Sequence, residues 1–194
     1  MLDSPVRGFP VKEFEARLER LHKLMSTKGL AGILLMSEPE VRYFTGFLTQ
    51  FWQSPTRPWF LFIPVDKKPI AVIPEIGAAL MRTTWIDDIR TWGAPWPKDD
   101  GISLLQDLLD PLLKSGARLG VMKGHETSLR MPLGDYERLM SGLAGIEVVD
   151  ATDILRNLRM VKSAAEIEKI AYICGITSRT FARAGDIFHK GQSL

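Results

Sequence analysis

Gly29-Leu30-Ala31-Gly32-Ile33-Leu34-Leu35-Met36-Ser37 is the stretch on which the fold turns. From Leu30 to Met36 no side chain carries a charge or a strong hydrogen-bonding group. The run is too short for an ordinary helix, and it follows a glycine. It therefore reads as a strand buried on both faces, which requires helices above and below it. The flanking sequence supplies the first two. Upstream, Phe14, Leu18, Leu21, Leu24 and Met25 recur every three or four residues, so 10–28 reads as an amphipathic helix. Glu13 and Glu15 favour its first turn, Lys28 its last, and Gly29 stops it. The charged positions Glu13, Arg17, Glu19, Arg20 and Lys23 read as its solvated face. Downstream, Ser37-Glu38-Pro39-Glu40 opens a short helix with Pro39 at its first position. That helix carries Val41 to Phe44 and ends before Gly46.

The alternation continues to the end of the chain. Apolar runs at 57–65 and 70–74 flank the polar loop Asp66-Lys67-Lys68-Pro69, which predicts an antiparallel hairpin. A short helix at 76–82 and a strand at 86–92 follow, then a turn with Trp92 and Trp96 as packing or interface residues. The spacing predicts helices at 103–113 and 130–140, strands at 118–122 and 146–149, and a turn or short helix at 152–159. Ser163-Ala164-Ala165-Glu166 has the form of a capping box and starts a long helix. Helices alternating with strands predict an α/β domain of three layers, a mixed and mostly buried sheet flanked by helices. The lone cysteine, Cys174, lies among apolar residues of the long helix and reads as a buried structural thiol in a reducing compartment.

Composition excludes more than it assigns. With 25 basic and 23 acidic residues the net charge is +2, and no basic patch points to nucleic acid. The N-terminal residues have no leader-like apolar core, and no apolar run is long enough to span a bilayer, so the expected location is the cytoplasm. The three histidines, His22, His125 and His189, have no second histidine within five residues, and no HExxH occurs. Phosphate-loop and nucleophile-elbow patterns are absent. The pairs Asp87-Asp88 and Asp99-Asp100 are adjacent, so on a strand their carboxylates point to opposite faces. The chain carries no self-contained catalytic apparatus, and its own expected catalytic and metal-ligand sets are both empty.

Several segments, in this order, resemble the creatinase/aminopeptidase P/prolidase family. Val41-Arg42-Tyr43-Phe44-Thr45-Gly46-Phe47 is similar to the family's tyrosine–x–(Thr/Ser)–Gly–aromatic signature. The opening helix with its apolar strand, and the hairpin at 57–74, fall where the family has the same elements. Leu158-Arg159-Met160-Val161-Lys162-Ser163-Ala164-Ala165-Glu166-Ile167 resembles the junction at which the N-terminal domain passes to the first helix of the catalytic domain. His189-Lys190-Gly191-Gln192 is similar to the turn after that helix, with Lys-Gly in place of the usual Pro-Gly.

The resemblance implies a creatinase N-terminal fold with a ribonuclease H-like motif at 1–160, then a linker and the first helix of a truncated pita-bread catalytic domain at 161–194. It implies a chain inactive alone, whose parent is a metal-dependent Xaa-Pro dipeptidase or aminopeptidase. The parent would hold two divalent ions, manganese, cobalt or zinc, on two Asp, one His and two Glu that are not in this chain. It further implies a homodimer formed through this domain, with the missing catalytic domain as a second partner. The loop after Gly46 would reach over the partner subunit's active site and offer Arg57 to a substrate carboxylate, and Trp52 or Phe51 to a proline ring. Arg57 could instead pair with Glu40 or Glu75. Two other parents fit the same resemblance: a creatinase-like amidinohydrolase, or a standalone interaction module of the same fold.

Overall fold

The computed structural model describes residues 4–54 and 57–193. Its elements are α1 (Val11–Lys28), β1 (Gly32–Leu35), α2 (Glu38–Thr45), β2 (Phe60–Pro64), β3 (Ile70–Pro74), α3 (Ala78–Met81), β4 (Asp88–Trp92), α4 (Ile102–Leu109), β5 (Arg118–Val121), α5 (Leu133–Gly142), β6 (Glu147–Asp150), α6 (Thr152–Met160), α7 (Ala164–Ala182) and α8 (Ala184–Ile187). Short 3-10 turns occupy Gln50–Gln53 and Glu75–Gly77. The chain divides into two compact units, one from Pro10 to Arg159 and one that joins residues before Pro10 to those from Met160 onward.

In the larger unit the six strands form one sheet in the order β4-β3-β2-β1-β5-β6. β2 runs antiparallel to both its neighbours, and every other pairing is parallel. The sheet is therefore mixed, with the 60–74 hairpin as its reversal. Every residue of β1, β2 and β3 is buried, as a strand covered on both faces requires. Alternation sends Leu34, Phe60, Phe62, Ile70 and Val72 to one face, where they share a core with Leu105 and Leu109 of α4 and Leu139 and Leu143 of α5. Ile33, Leu35, Leu61, Ile63, Ala71 and Ile73 point the other way and are equally inaccessible. The buried residues of α1, α2 and α6 supply the opposing layer. The sheet centre is packed tightly enough to need glycine: a Cβ on Gly120 would lie 2.8 Å from Ile33 Cγ1 and 2.9 Å from the Cβ of Ala151.

Arg17 is a correction to the solvated-face reading of α1, for only 1% of it is exposed. Its Nη1 donates to the Tyr43 carbonyl at 2.7 Å, and its Nε to Glu13 Oε1 at 3.0 Å. The guanidinium lies 4.2 Å from the centre of the Tyr43 ring. The last turn of α2 leaves carbonyls without an intrahelical partner, and a cation placed there meets both the carbonyl and the helix dipole. Smaller differences are local. Pro39 stands at the second helical position of α2, not the first. α5 begins at Leu133 and not at Arg130, because Pro132 disfavours helical backbone at the residue before it and is itself extended. β2 begins at Phe60, leaving Arg57 in the loop before it.

In the smaller unit the capping box forms as its sequence predicts. Ser163 Oγ accepts from Glu166 N–H at 3.2 Å, and the Glu166 carboxylate accepts from Ser163 N–H at 2.9 Å. Lys169 Nζ donates to the Val6 carbonyl and lies 5.0 Å from the centre of the Phe9 ring. No residue of α7 is buried. Cys174 is exposed, which corrects its reading as a buried thiol: the apolar residues around it in sequence do not close over it.

Candidate functional site: the crevice beyond β1 and β5 and the aromatic loop beside it

β1 and β5 are parallel neighbours near the centre of the sheet. The chain leaves β1 into α2, on the face that α1 covers. It leaves β5 through 122–132 into α5, on the face of α4. Where two adjacent parallel strands send their connections to opposite faces, a crevice opens outside their carboxyl ends. Here it is a groove of about 320 Å³ whose wall includes Ser37, Glu38, Glu40, Glu126, Ser128 and Arg130.

Glu40 is its innermost charge, 4% exposed. One carboxylate oxygen accepts from Ser37 Oγ and the other from Arg159 Nη1. Ser37 thus spends its hydroxyl on the Glu40 side chain, and not on the backbone N–H groups that an N-cap serine usually serves. The opposite wall is the turn after β5. Gly124 N–H donates to Thr152 Oγ1 at 3.0 Å, and Thr152 Oγ1 donates to Asp150 Oδ1 at 2.5 Å. Asp150 also accepts from Thr152 N–H at 2.9 Å and Lys123 N–H at 3.3 Å. The Thr152 hydroxyl first, and then these backbone donors, hold the Asp150 carboxyl below the usual carboxylate range. Pinned in this way, the turn puts Glu126 in left-handed backbone, with φ of 57°.

Arg130 joins the groove to the 47–59 loop. Its guanidinium lies 5.2 Å from the centre of the Trp52 ring, and its Nη2 donates to the Ser54 carbonyl. Within the loop, Thr49 Oγ1 accepts from Phe51 N–H at 3.3 Å and starts the 3-10 turn. Trp59 is the hub: Phe47, Trp52 and Phe51 have ring centres 5.4, 5.7 and 6.4 Å from it. Gly77 lies under this indole, where a Cβ would come within 2.3 Å of Cζ3.

The three residues singled out from sequence fall in different settings. Trp52 is only 4% exposed, wedged between Trp59 and Arg130. Phe51 stacks on Trp59 at an interplanar angle of 15° and keeps 36% of its surface in solvent. Arg57 is half-buried and has no hydrogen bond or ion pair among the described residues. The acid once available to it, Glu40, is engaged by Arg159. Tyr43 and Thr45 are helix-end residues: Thr45 Oγ1 donates to the Val41 carbonyl at 2.7 Å and accepts from Phe47 N–H at 2.9 Å. Trp92 packs on Phe60, while Trp96 stays exposed. Sequence reasoning missed the groove. Ser37-x-x-Glu40 was visible as a cap pattern, but Glu40 and Arg159 are 119 residues apart and no local signal pairs them.

Among the described residues, no three His, Cys, Asp or Glu side chains converge as a metal site. The described residues thus do not fit the ions implied for the family. No helix among the described residues is long and apolar enough to cross a membrane.

The sequence profile of the Creatinase/Prolidase N-terminal domain matches residues 17–161, so the chain belongs to this family. Creatinase of Bacillus sp. (strain B-0618) is 26% identical over 162 residues, which cover 84% of this chain and 37% of the creatinase. The crystal structure of dipeptidase PepE from Mycobacterium ulcerans is 26% identical with a TM-score of 0.69, over 91% of this chain and 44% of that one. A prolidase from Thermococcus sibiricus, 17% identical, superposes with a TM-score of 0.77 over 93% of this chain and 46% of that one. The fold is thus the one these enzymes share, a mixed six-stranded sheet between helices. The chain spans less than half the length of the curated relatives it matches.

Proposed function

We propose that the chain is the non-catalytic, dimer-forming and active-site-covering N-terminal domain of a metal-dependent Xaa-Pro dipeptidase or aminopeptidase. On this reading residues 1–160 form that domain, and 161–194 are a linker and the first helix of the catalytic one. The parent enzyme holds two divalent ions and works in the cytoplasm. The observation that carries the reading is Arg57, a half-buried guanidinium with no partner among the described residues, in the same loop as the stacked rings of Phe51 and Trp59. An arginine already paired at home would have little to offer a ligand, whereas a free one can take a carboxylate on two parallel N–H donors. Phe51 is the ring with surface to offer a proline. Trp52 acts beneath it by holding Arg130 and Trp59. Creatinase-type chemistry in the parent is the second reading, favoured by the 26% identity to a creatinase.

Light scattering of this chain over a concentration series, together with an assay of Xaa-Pro dipeptide hydrolysis with and without manganese, tests both parts. A dimer without hydrolysis is expected. A monomer at every concentration would remove the assembly role, and metal-dependent cleavage by the chain alone would remove the non-catalytic one. In the parent enzyme, Arg57→Ala should raise KM for Xaa-Pro substrates about tenfold or more, the loss of a charge-assisted hydrogen bond, while leaving kcat nearly unchanged.

A further inference from the structure

We propose that the groove beyond β1 and β5 binds a small zwitterion, an α-amino acid or dipeptide, with its ammonium at Glu38 and Glu126 and its carboxylate at Arg130. The charges of the wall select this class. Three carboxylates and one guanidinium line the groove, but Glu40 is already neutralised by Arg159. Glu38 has no hydrogen bond or ion pair among the described residues, and Glu126 has only the His125 ring at 4.0 Å. A simple anion would meet two uncompensated carboxylates. It would also find the N-terminus of α2 already answered by Glu38 and Glu40 within its first turn. A simple cation would face Arg130. A molecule with both charges a few ångströms apart satisfies both sides.

Arg130 has the capacity to take part. Of its five N–H donors one is used, on Ser54, and its buried Nε has no partner among the described residues. Glu126 adds a geometric argument. A left-handed backbone is unfavourable for a residue with a Cβ, so this turn would be more stable with glycine. A carboxylate is nevertheless held there, at the groove wall. The volume, about 320 Å³, is at the small end of ligand pockets and holds an amino acid or dipeptide.

Titration of the ¹⁵N-labelled chain with L-alanyl-L-alanine tests the assignment through amide shifts. Saturable shifts confined to 37–40 and 122–130 are expected, with a Kd on the order of 1 mM. N-acetyl-L-alanyl-L-alanine, which lacks the ammonium, should shift none of them. Glu126→Gln should weaken binding about tenfold. Glu126→Gly should do the same while relieving the backbone, so a loss of binding there cannot be a loss of fold. Absence of saturable shifts up to about 20 mM, well above that Kd, would overturn the proposal. So would equal binding of the acetylated peptide, or undiminished binding to the Glu126→Gly protein. The readout is binding and not assembly or hydrolysis, so failure here leaves the preceding reading standing.

Discussion

The central sheet and α7 are built from much the same residues, yet they are stabilised in different ways. β1 is Gly-Ile-Leu-Leu and wholly buried; α7 carries Ile167, Ile170, Ile173 and Ile176 with none buried. Ile33 is 0% exposed, Ile173 59%. The strand exists because two helical layers close over it, and taking its apolar surface out of water repays the ordering of the chain. The helix satisfies its backbone within itself, closes its first turn with a capping box, and does so without covering its side chains. Apolar content therefore does not say where the core is. Only the question of what lies opposite does.

The largest effect that would test this contrast is truncation of one aromatic in each region. Phe62→Ala opens a cavity between β2 and the α4–α5 layer and should cost about 3–5 kcal/mol in urea unfolding. Phe181→Ala at the exposed end of α7 should stay within about 0.5 kcal/mol. Equal costs would mean that α7 is covered in solution by a partner, a second copy of the chain included.

Arg17→Met comes next, at about 2–3 kcal/mol, since it strips a buried carbonyl and Glu13 of their donor. A cost near zero in the same unfolding experiment would return Arg17 to the solvated face that its sequence suggests. Ser163→Ala should cost α7 about 1 kcal/mol, visible as faster amide exchange over 164–170 with no change in the sheet. Slower exchange lost in both regions at once would show that they unfold as one.

The smallest effect is in acid. Asp150 has its carboxyl held down in the folded chain by Thr152 and Lys123, so the unfolded chain binds its proton more readily. Its stabilising contribution is fully present above the ordinary carboxylate value and is lost as pH falls through the lower, folded value. Asp150→Asn keeps an acceptor but no charge, and should flatten the stability curve below about pH 4 while leaving α7 exchange unaltered.

Much of the architecture was legible in one dimension because period and punctuation are local. Gly29 and Gly46 do end α1 and α2 in left-handed backbone, and the hairpin reversal falls on Asp66-Lys67-Lys68-Pro69. Boundaries slipped where a proline or a buried contact intervened, at Pro132 and before Phe60. The candidate site was half legible: the loop after Gly46 was visible with Phe51, Trp52 and Arg57, but not that Trp52 would be buried while Phe51 kept its solvent.

By itself, then, the sequence determined the alternation of helices and strands, the reversal at β2, the capped start of α7 and the family to which these segments belong. The first three follow from forces acting between residues a few positions apart, and the last from the resemblance of the segments themselves. Tertiary structure alone decided which charges are buried, where Glu40 finds Arg159, and that a groove opens between Ser37 and Arg130. Those outcomes depend on which connection leaves a strand toward which face, and on contacts between residues some 90 to 120 positions apart, as Arg118 to Lys28 and Arg159 to Glu40 are. Solvation and charge pairing are properties of what surrounds a side chain in space, and a residue's neighbours in sequence do not specify it.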